Sequence, residues 1–283
     1  MTQRHTIGSI LKISEAWLAE RGVDQPKIDA GTLLAKALGM KRLDLYLQTD
    51  RPLLEPELAS FRPLLARRGR REPVSRIIGL KGFWNHDFLV TPAVLSPRAD
   101  SELLVEKSLA AELPDEARVL DLCSGSGCIA ISLAAERPDW TVVGSDVSVE
   151  ALAVAQANGE RCEVDVTWRQ ADGFAGLDGG FNLIVSNPPY VGERERPELD
   201  PEVANHDPAL ALFSGDDGLN FIRRLLDEAP SQLKAGGLLL IEHGWQQGEA
   251  VRALFAAKGC FNDVETHRDL GGRERVTAGR LNS

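Results

Sequence analysis

The sequence predicts an α/β protein, a doubly wound and mostly parallel sheet preceded by a small bundle of helices. Three observations carry this. From about residue 116, apolar runs of strand length alternate with helical patterns. A glycine turn, Ser124-Gly125-Ser126-Gly127, directly follows the first of those runs. Residues 1 to about 80, in contrast, show only helical spacing. Regular alternation of strand and helix lays helices on both faces of a parallel sheet.

In the N-terminal part, apolar residues recur at helical spacing in Ile7, Ile10, Leu11, Trp17 and Leu18, and again in Leu33, Leu34, Ala37 and Leu38. Pro26, Pro52 and Pro63 suit helix starts or breaks. Four or five short helices follow from this pattern, in a domain spanning 1–80. Its end, "LLARRGRREP", clusters Arg67, Arg68, Arg70 and Arg71. The cluster has two readings: cations favoured by a helix C-terminal dipole, or a docking patch for an acidic or RNA-bearing partner.

Residues 81–97 are expected to form a β-hairpin linker. In "FWNHDFLVTPAVL", apolar arms flank an Asn85-His86-Asp87 turn. The main domain then spans 98–283. Its expected strands are 118–122, 141–145, 164–169, 181–186 and 238–242, with helices after Gly127, after Val147, after Gly218 and over 247–258. Two further strands, joined through Gly271-Gly272, close the chain as a hairpin, which makes the last strand antiparallel to its neighbour.

Composition narrows the function classes. No apolar run approaches the ~18 residues that a membrane span needs, and the first twenty residues lack the h-region of a secretory signal. Cys123 and Cys128 flank the glycine turn, while Cys162 and Cys260 stand apart. This is neither a zinc pattern nor a disulfide framework, and with it the expected location is the cytoplasm. The formal net charge of −10 argues against nucleic acid as the main partner, since phosphate neutralisation calls for a basic excess.

"RVLDLCSGSGCIAISLA" reads as a buried strand, a glycine turn and a helix start. Gly125 and Gly127 let the backbone approach a ligand closely, and the helix N-terminus beyond offers free N–H groups. Asp146 ends the next strand, where a carboxylate can accept hydrogen bonds from ribose hydroxyls. Dinucleotides and S-adenosylmethionine both use this geometry. Asp121 favours the second, because a carboxylate beside the loop repels a pyrophosphate and suits a cationic amino group. "VLDLCSGSG" resembles the first motif of S-adenosylmethionine-dependent methyltransferases, which implies Cys123, Ser124, Gly125, Ser126 and Gly127 as the cofactor loop.

A second motif, "FNLIVSNPPYVGE", is a buried strand that ends in Asn187-Pro188-Pro189-Tyr190. Two prolines fix two φ angles and remove two donors, so the chain leaves the sheet in one stiff shape. A planar NH₂ group is a poor nucleophile because its lone pair is delocalised. Two acceptors, the Asn187 side-chain oxygen and the Pro188 carbonyl, can hold its two N–H groups while Tyr190 supplies a flat packing face. Catalysis is then positioning and electrostatics.

Asn-Pro-Pro-Tyr is the signature of methyltransferases acting on planar exocyclic nitrogens. "PVSRIIGLKGFW", "VLSPRADSELLVE", "EVANHDPALALFSGDDGLNFIRRL", "LKAGGLLLIEHGWQQGEAVRALF" and "DLGGRERVTAGR" resemble, in order, the blocks of one family, the peptide-chain release factor N5-glutamine methyltransferases. The resemblance implies a class I S-adenosylmethionine-dependent methyltransferase fold with a seven-stranded sheet and an N-terminal substrate-recognition domain. It implies methylation of the glutamine in a Gly-Gly-Gln motif of class I release factors, with S-adenosyl-L-homocysteine as product. Cys123 to Gly127 and Asp146 would bind the cofactor together with Asn187, and Asn187, Pro188, Pro189 and Tyr190 the substrate. The family commonly has glycine where Cys123 stands. It often has Trp after the Asp of its fourth motif, where this chain reads Asp172-Gly173-Phe174, so Phe174 is the expected adenine contact. Arg98 is the candidate from the family's Pro-Arg element.

The same chemistry serves ribosomal-protein glutamine methyltransferases and, with a basic target-recognition region, DNA adenine-N6 methyltransferases. Neither DNA nor membrane is an expected partner, no metal site is expected, and a monomer is. His5, His86, His206 and His267 are scattered without metal spacing. His243, at a strand end near the rim, is the one histidine with a candidate role.

Overall fold

The computed structural model describes residues 5–283, which divide into two compact units. The first comprises residues up to Gly79 together with Asp200–His206. Its helices are α1 (Ile7–Ala19), α2 (Pro26–Leu38), α3 (Arg42–Leu47), α4 (Glu55–Gly69) and α5 (Val74–Ile78). Each of the first two starts for a local reason. The Thr6 hydroxyl accepts the Ser9 N–H at α1, and Pro26 occupies the first turn of α2, where its missing N–H costs nothing. Ile7, Leu33, Leu34, Leu45 and Phe61 form the centre of the core. Pro63 departs from the expected break: it lies inside α4 on an exposed position, and the helix continues through it. Packing of Leu58 and Phe61 into the core holds the helix despite the lost hydrogen bond.

The arginine cluster at the end of α4 is turned mostly inward. Arg68 is 4% exposed and its guanidinium bridges Asp29 and Glu202, each at 2.6 Å. Arg71 reaches Glu202 and Asp200, both at 3.2 Å, and Arg67 pairs with Glu72. Three of the four arginines are therefore paired with acids of the same unit. These pairs tie Asp200–His206 to the helices despite more than a hundred intervening residues.

The second unit comprises Leu80–Leu199 and Asp207–Ser283. It opens with a hairpin, β1 (Leu80–Phe83) and β2 (His86–Leu89), paired from Leu80↔Leu89 to Phe83↔His86. The turn is Trp84-Asn85, with Trp84 at φ 50°, so the arms lie earlier than the sequence suggests. The hairpin is no free linker. Phe83 and Phe88 are buried in the unit's core, and the buried Asn158 side chain bonds both the N–H and the C=O of Leu89.

There follow α6 (Glu102–Ala110), β3 (Arg118–Leu122), α7 (Cys128–Glu136), β4 (Thr141–Asp146), α8 (Val149–Cys162), β5 (Thr167–Gln170) and β6 (Phe181–Ser186). Then come α9 (Pro201–His206), the part that groups with the first unit, α10 (Asn220–Gln232), β7 (Leu233–Glu242), α11 (Gly248–Lys258), β8 (Phe261–Arg268) and β9 (Glu274–Leu281). The seven strands run in the order β5-β4-β3-β6-β7-β9-β8. All neighbours from β5 to β7 are parallel, and β9 inserts antiparallel between β7 and β8. β5 starts three residues later than expected and β7 five residues earlier.

Both sheet faces are covered, which explains the continuous apolar runs. In β6 and β7, Leu183, Val185, Leu238 and Leu240 face α6 and α7, while Ile184, Leu239 and Ile241 face α10 and α11. The strand order reverses between β3 and β6, so the carboxyl ends of β3, β4 and β6 meet at a topological switch point.

Replacing Arg68 by Ala would leave Asp29 and Glu202 as partly buried carboxylates without their shared cation. Chemical denaturation followed by circular dichroism should show a loss of roughly 3 kcal/mol. Wild-type stability would mean that these ion pairs contribute nothing net.

Candidate active site

β3 ends at Leu122 and the chain turns through Cys123 (φ 64°) and Gly125 (φ 53°) into α7. A non-glycine residue at positive φ is strained, and this is the position where the related family commonly has glycine. The loop is pinned from several sides. Ser124 N–H donates to the Ser145 carbonyl at 2.9 Å, and its hydroxyl donates to the Asp121 carbonyl at 2.8 Å. Gly125 N–H donates to Asp146 Oδ2 at 2.9 Å, and Asn158 Nδ2 donates to the Ser126 carbonyl at 2.9 Å. Asp146 thus orders the loop before it meets any ligand, with Oδ1 accepting Ser148 N–H at 2.9 Å.

Asp121 lies elsewhere than the sequence argument placed it. Strand alternation puts its side chain on the α7 face with Val119, fully buried, and it does not line the cavity. Its Oδ2 accepts Ala130 N–H at 3.1 Å, in the first turn of α7, where a negative charge suits the helix dipole. Burial is the largest influence on its carboxyl and pushes it up to about 7. It therefore cannot discriminate cofactors by facing a pyrophosphate.

A cavity of about 700 Å³ opens at the rim of the sheet. Cys123, Ser124, Gly125, Ser126, Asp146 and Asn187 all line it. Gly127 does not, and shapes the turn from behind. Phe174 is 6% exposed and packs into the core on the α10 side, so Asp172, Gly173 and Phe221 make the wall where an adenine contact was expected from Phe174. Arg98 is likewise absent from the cavity. It pairs with the fully buried Asp207 carboxylate at 2.6 Å and so anchors the start of the segment whose Pro208, Leu210 and Phe213 form another wall.

After β6, Asn187 and Pro189 face the cavity, while Pro188 is buried and the Tyr190 ring packs beside the α10–α11 core. Asn187 Nδ2 donates to Ser101 Oγ at 2.9 Å. Among the described residues, neither Asn187 Oδ1 nor the Pro188 carbonyl accepts a hydrogen bond. The Tyr190 hydroxyl donates to Glu242 Oε1 at 3.2 Å, and its carbonyl accepts Gln247 Nε2 at 2.9 Å. Gly218 (φ 76°) passes so close that a Cβ there would collide with that same carbonyl oxygen. Glu242 is 1% exposed at the end of β7, and burial pushes its carboxyl up to about 7. Burial also raises the Tyr190 phenol.

His243 is structural. Its Nδ1 can only donate to the Gly244 carbonyl at 2.9 Å, which leaves Nε2 to accept from Thr277 Oγ1 at 2.8 Å. Desolvation lowers its pKa, so the neutral ring is held with both nitrogens engaged. Sequence reasoning missed Ser101, Asn158, Glu242 and Gln247. Only Glu242 carried a signal, an acid closing the apolar run "GGLLLIE".

A glycine loop after the first sheet strand, an acid after the second and Asn-Pro-Pro-Tyr after the fourth, on this strand order, define a class I methyltransferase. Residues 88–204 match the methyltransferase small domain, and residues 9–79 match the PrmC N-terminal domain. A solved methyltransferase from Pyrococcus furiosus aligns with a TM-score of 0.54 at 19% identity, covering 72% of this chain and 92% of that one, which speaks for the fold alone. The release factor glutamine methyltransferase of Geobacter sulfurreducens is 43% identical over 99% of this chain and 100% of its own length. Those of Salmonella typhimurium and Escherichia coli are 41% and 39% identical, covering 94% and 93% of this chain and 98% and 97% of theirs. The chain belongs to the release factor glutamine methyltransferase family.

Asp121 gives the fold a measurable pH signature. Its folded pKa is raised, so its contribution to stability is full below about 4 and is lost as pH rises toward about 7. Asp121→Asn removes that titration while leaving Glu242 in place. The variant should therefore gain on the wild type between pH 4 and 7, by a few kcal/mol on the order of three pKa units. Parallel melting curves across that range would show a Tm difference independent of pH if Asp121 did not titrate there.

Proposed function

We propose that this protein transfers a methyl group from S-adenosyl-L-methionine to the side-chain nitrogen, N5, of the glutamine in the Gly-Gly-Gln motif of class I peptide-chain release factors. One observation supports this above the others: at the end of β6, among the described residues, neither the Asn187 side-chain oxygen nor the adjacent Pro188 carbonyl accepts a hydrogen bond. A primary amide has two N–H donors that match such a pair. Full-length identity to relatives bearing the release-factor name supports the protein substrate.

The cavity suits the cofactor. Its volume is in the range of small-ligand sites. At Gly125 a Cβ would meet no atom within 4 Å, so the backbone is open to close approach. Cys123, Ser124, Gly125 and Ser126 would hold the ligand, with the Asp146 carboxylate accepting from its ribose hydroxyls. Once bound, the cofactor supplies an electrophilic methyl group carried on a sulfonium.

The chain's own residues do the rest by positioning. Asn187 Oδ1 and the Pro188 carbonyl take the two amide N–H groups, which turns the nitrogen lone pair toward the cavity and favours pyramidalisation. Pro188 and Pro189 keep both acceptors rigid, so no reorganisation is needed at the moment of transfer. Tyr190, held by Glu242 and Gln247, supports the planar amide. No ionisable base is required, because the amide proton becomes acidic only as nitrogen gains positive charge. The helical unit, which matches the PrmC N-terminal domain, is the part we assign to choosing the release factor. The protein works as a cytoplasmic monomer in this reading.

Asp146→Ala should weaken S-adenosylmethionine binding by roughly 1.5–3 kcal/mol, through lost charged hydrogen bonds and a loosened loop. Titration calorimetry measures this, and unchanged affinity would remove Asp146 from the binding site.

Asn187→Ala should fold and bind cofactor yet transfer the methyl group about 10²–10³-fold more slowly. Single-turnover methylation of an intact release factor, with peptide mapping of the modified glutamine, tests both this and the proposed function. Modification of a different residue type by the wild type would overturn the reading.

A further inference from the structure

A glycine inside a strand leaves a notch, because it has no side chain to pack. Gly144, buried in β4, is such a residue. Its neighbours across the sheet are Asp121 of β3 on one side and Trp168 of β5 on the other. These three positions share one face of the sheet, the face that α7 covers.

The indole of Trp168 fills the notch. It reaches inward from the edge strand, and a Cβ at Gly144 would collide with its Cε3 and Cζ3 atoms. Its far end, Cη2, runs on to the glycine turn, where a Cβ at Gly127 would lie only 2.7 Å away. Its Nε1 edge comes beside Gly159 of α8, 3.9 Å from where a Cβ would stand. One rigid ring therefore meets the backbone of a strand, a turn and a helix, each time at a residue without a side chain.

What rests on the ring gives this packing a functional meaning. Gly127 closes the loop whose Ser124, Gly125 and Ser126 line the cavity, while Trp168 itself does not line it. Hydrogen bonds fix the loop from its polar sides. Gly125 N–H donates to Asp146, Asn158 donates to the Ser126 carbonyl, and Asp121 accepts from Ala130 N–H in the helix beyond. Those bonds set direction, but none stops the turn from sinking toward the sheet. A close-packed ring does. Gly144 and Asp146 lie on the same face of β4, so the ring also spaces the turn from the strand that carries that carboxylate.

We propose that Trp168 is a positioning residue for the cofactor loop, a wedge between β4 and the Gly125–Gly127 turn that holds the loop in its ligand-receiving shape. Gly127 and Gly144 admit it. The wedge acts on affinity, since a loop ordered in advance costs less to order on binding. This inference rests on the S-adenosylmethionine reading for the identity of the ligand, but the wedge is a property of the protein alone.

Two variants test the ring from opposite sides. Trp168→Phe keeps an aromatic side chain on β5 but is too short to reach Gly127. Gly144→Ala keeps the indole and pushes it out of the notch. In the full-length protein without ligand, amide hydrogen exchange followed by NMR should be roughly 10-fold or more faster at Gly125 and Gly127 in both variants. The amides of β3 should keep their wild-type protection. Unchanged exchange in the loop would overturn the wedge. So would an equal loss of protection in loop and sheet, which would make the ring ordinary core packing.

Calorimetric titration with S-adenosylmethionine should give about 10-fold weaker binding in both variants. In single-turnover methylation of a release factor, most of the lost rate should return as the cofactor is raised to saturation. A loss that persists in full at saturation would place the effect outside the loop and sink the proposal. The two substitutions combined should cost less affinity than their sum, because the smaller ring leaves room for the added methyl. Strict additivity would mean that ring and glycine do not meet. Wild-type protein that binds no S-adenosylmethionine would instead sink the cofactor reading, and the exchange result would still decide the wedge.

Discussion

Covering both faces of a parallel sheet is the constraint from which the rest of this protein follows. β3, β6 and β7 are flanked by α6 and α7 on one face and by α10 and α11 on the other, so nearly every position within them is apolar. Polar chemistry is thereby driven to the strand ends. The parallel arrangement puts the carboxyl ends of β3, β4 and β6 on a single rim. The loop at Cys123–Gly127, Asp146 and Asn187 are neighbours because the sheet leaves no other place for them.

The exceptions to apolar burial are informative. Asp121 and Glu242 are acids at or near strand ends on the α6–α7 face, and burial raises both carboxyls to about 7. Each is retained where it holds part of the rim. Asp121 fixes the first turn of α7 behind the glycine loop, and Glu242 holds Tyr190. The cost of burying them is exchanged for order in the two motifs to which the proposed chemistry is assigned. Such order is what the proposed reaction, which uses no ionisable base, requires, since fixed dipoles and not proton transfer would lower its barrier.

The same logic extends outward from the motifs. Asn158 in α8 bonds the Ser126 carbonyl and the backbone of Leu89, which makes the hairpin part of the loop's support. Gln247 donates to the Tyr190 carbonyl, and Gly218 leaves room for that carbonyl's close approach. Arg98 restrains Asp207, from which a cavity wall continues. None of these touches the proposed reacting atoms, yet each removes a way for the rim to relax.

Local signals were legible in the sequence alone. Apolar runs placed the sheet strands, with β5 begun three residues too early and β7 five residues too late; glycines marked the turn after β3; two prolines marked the stiff exit at Asn187. Periodicity, turn chemistry and proline geometry all act within a few residues. The sequence also misled where side-chain direction mattered. Asp121 and Phe174 sit next to the cavity in the chain, but strand parity and core packing turn both away from it. Pro63 continues a helix because tertiary packing outweighs one lost hydrogen bond. The arginine run at 67–71 became a set of internal ion pairs because its partners, Asp29, Asp200 and Glu202, are distant in sequence. Ser101 beside Asn187 belongs to the same class: two ordinary polar residues, 86 positions apart, whose meeting depends on how α6 packs over the ends of β6 and β7. What the sequence determined was which chemistry is present and in what order along the chain; which atoms face one another was decided only when the sheet closed and its faces were covered.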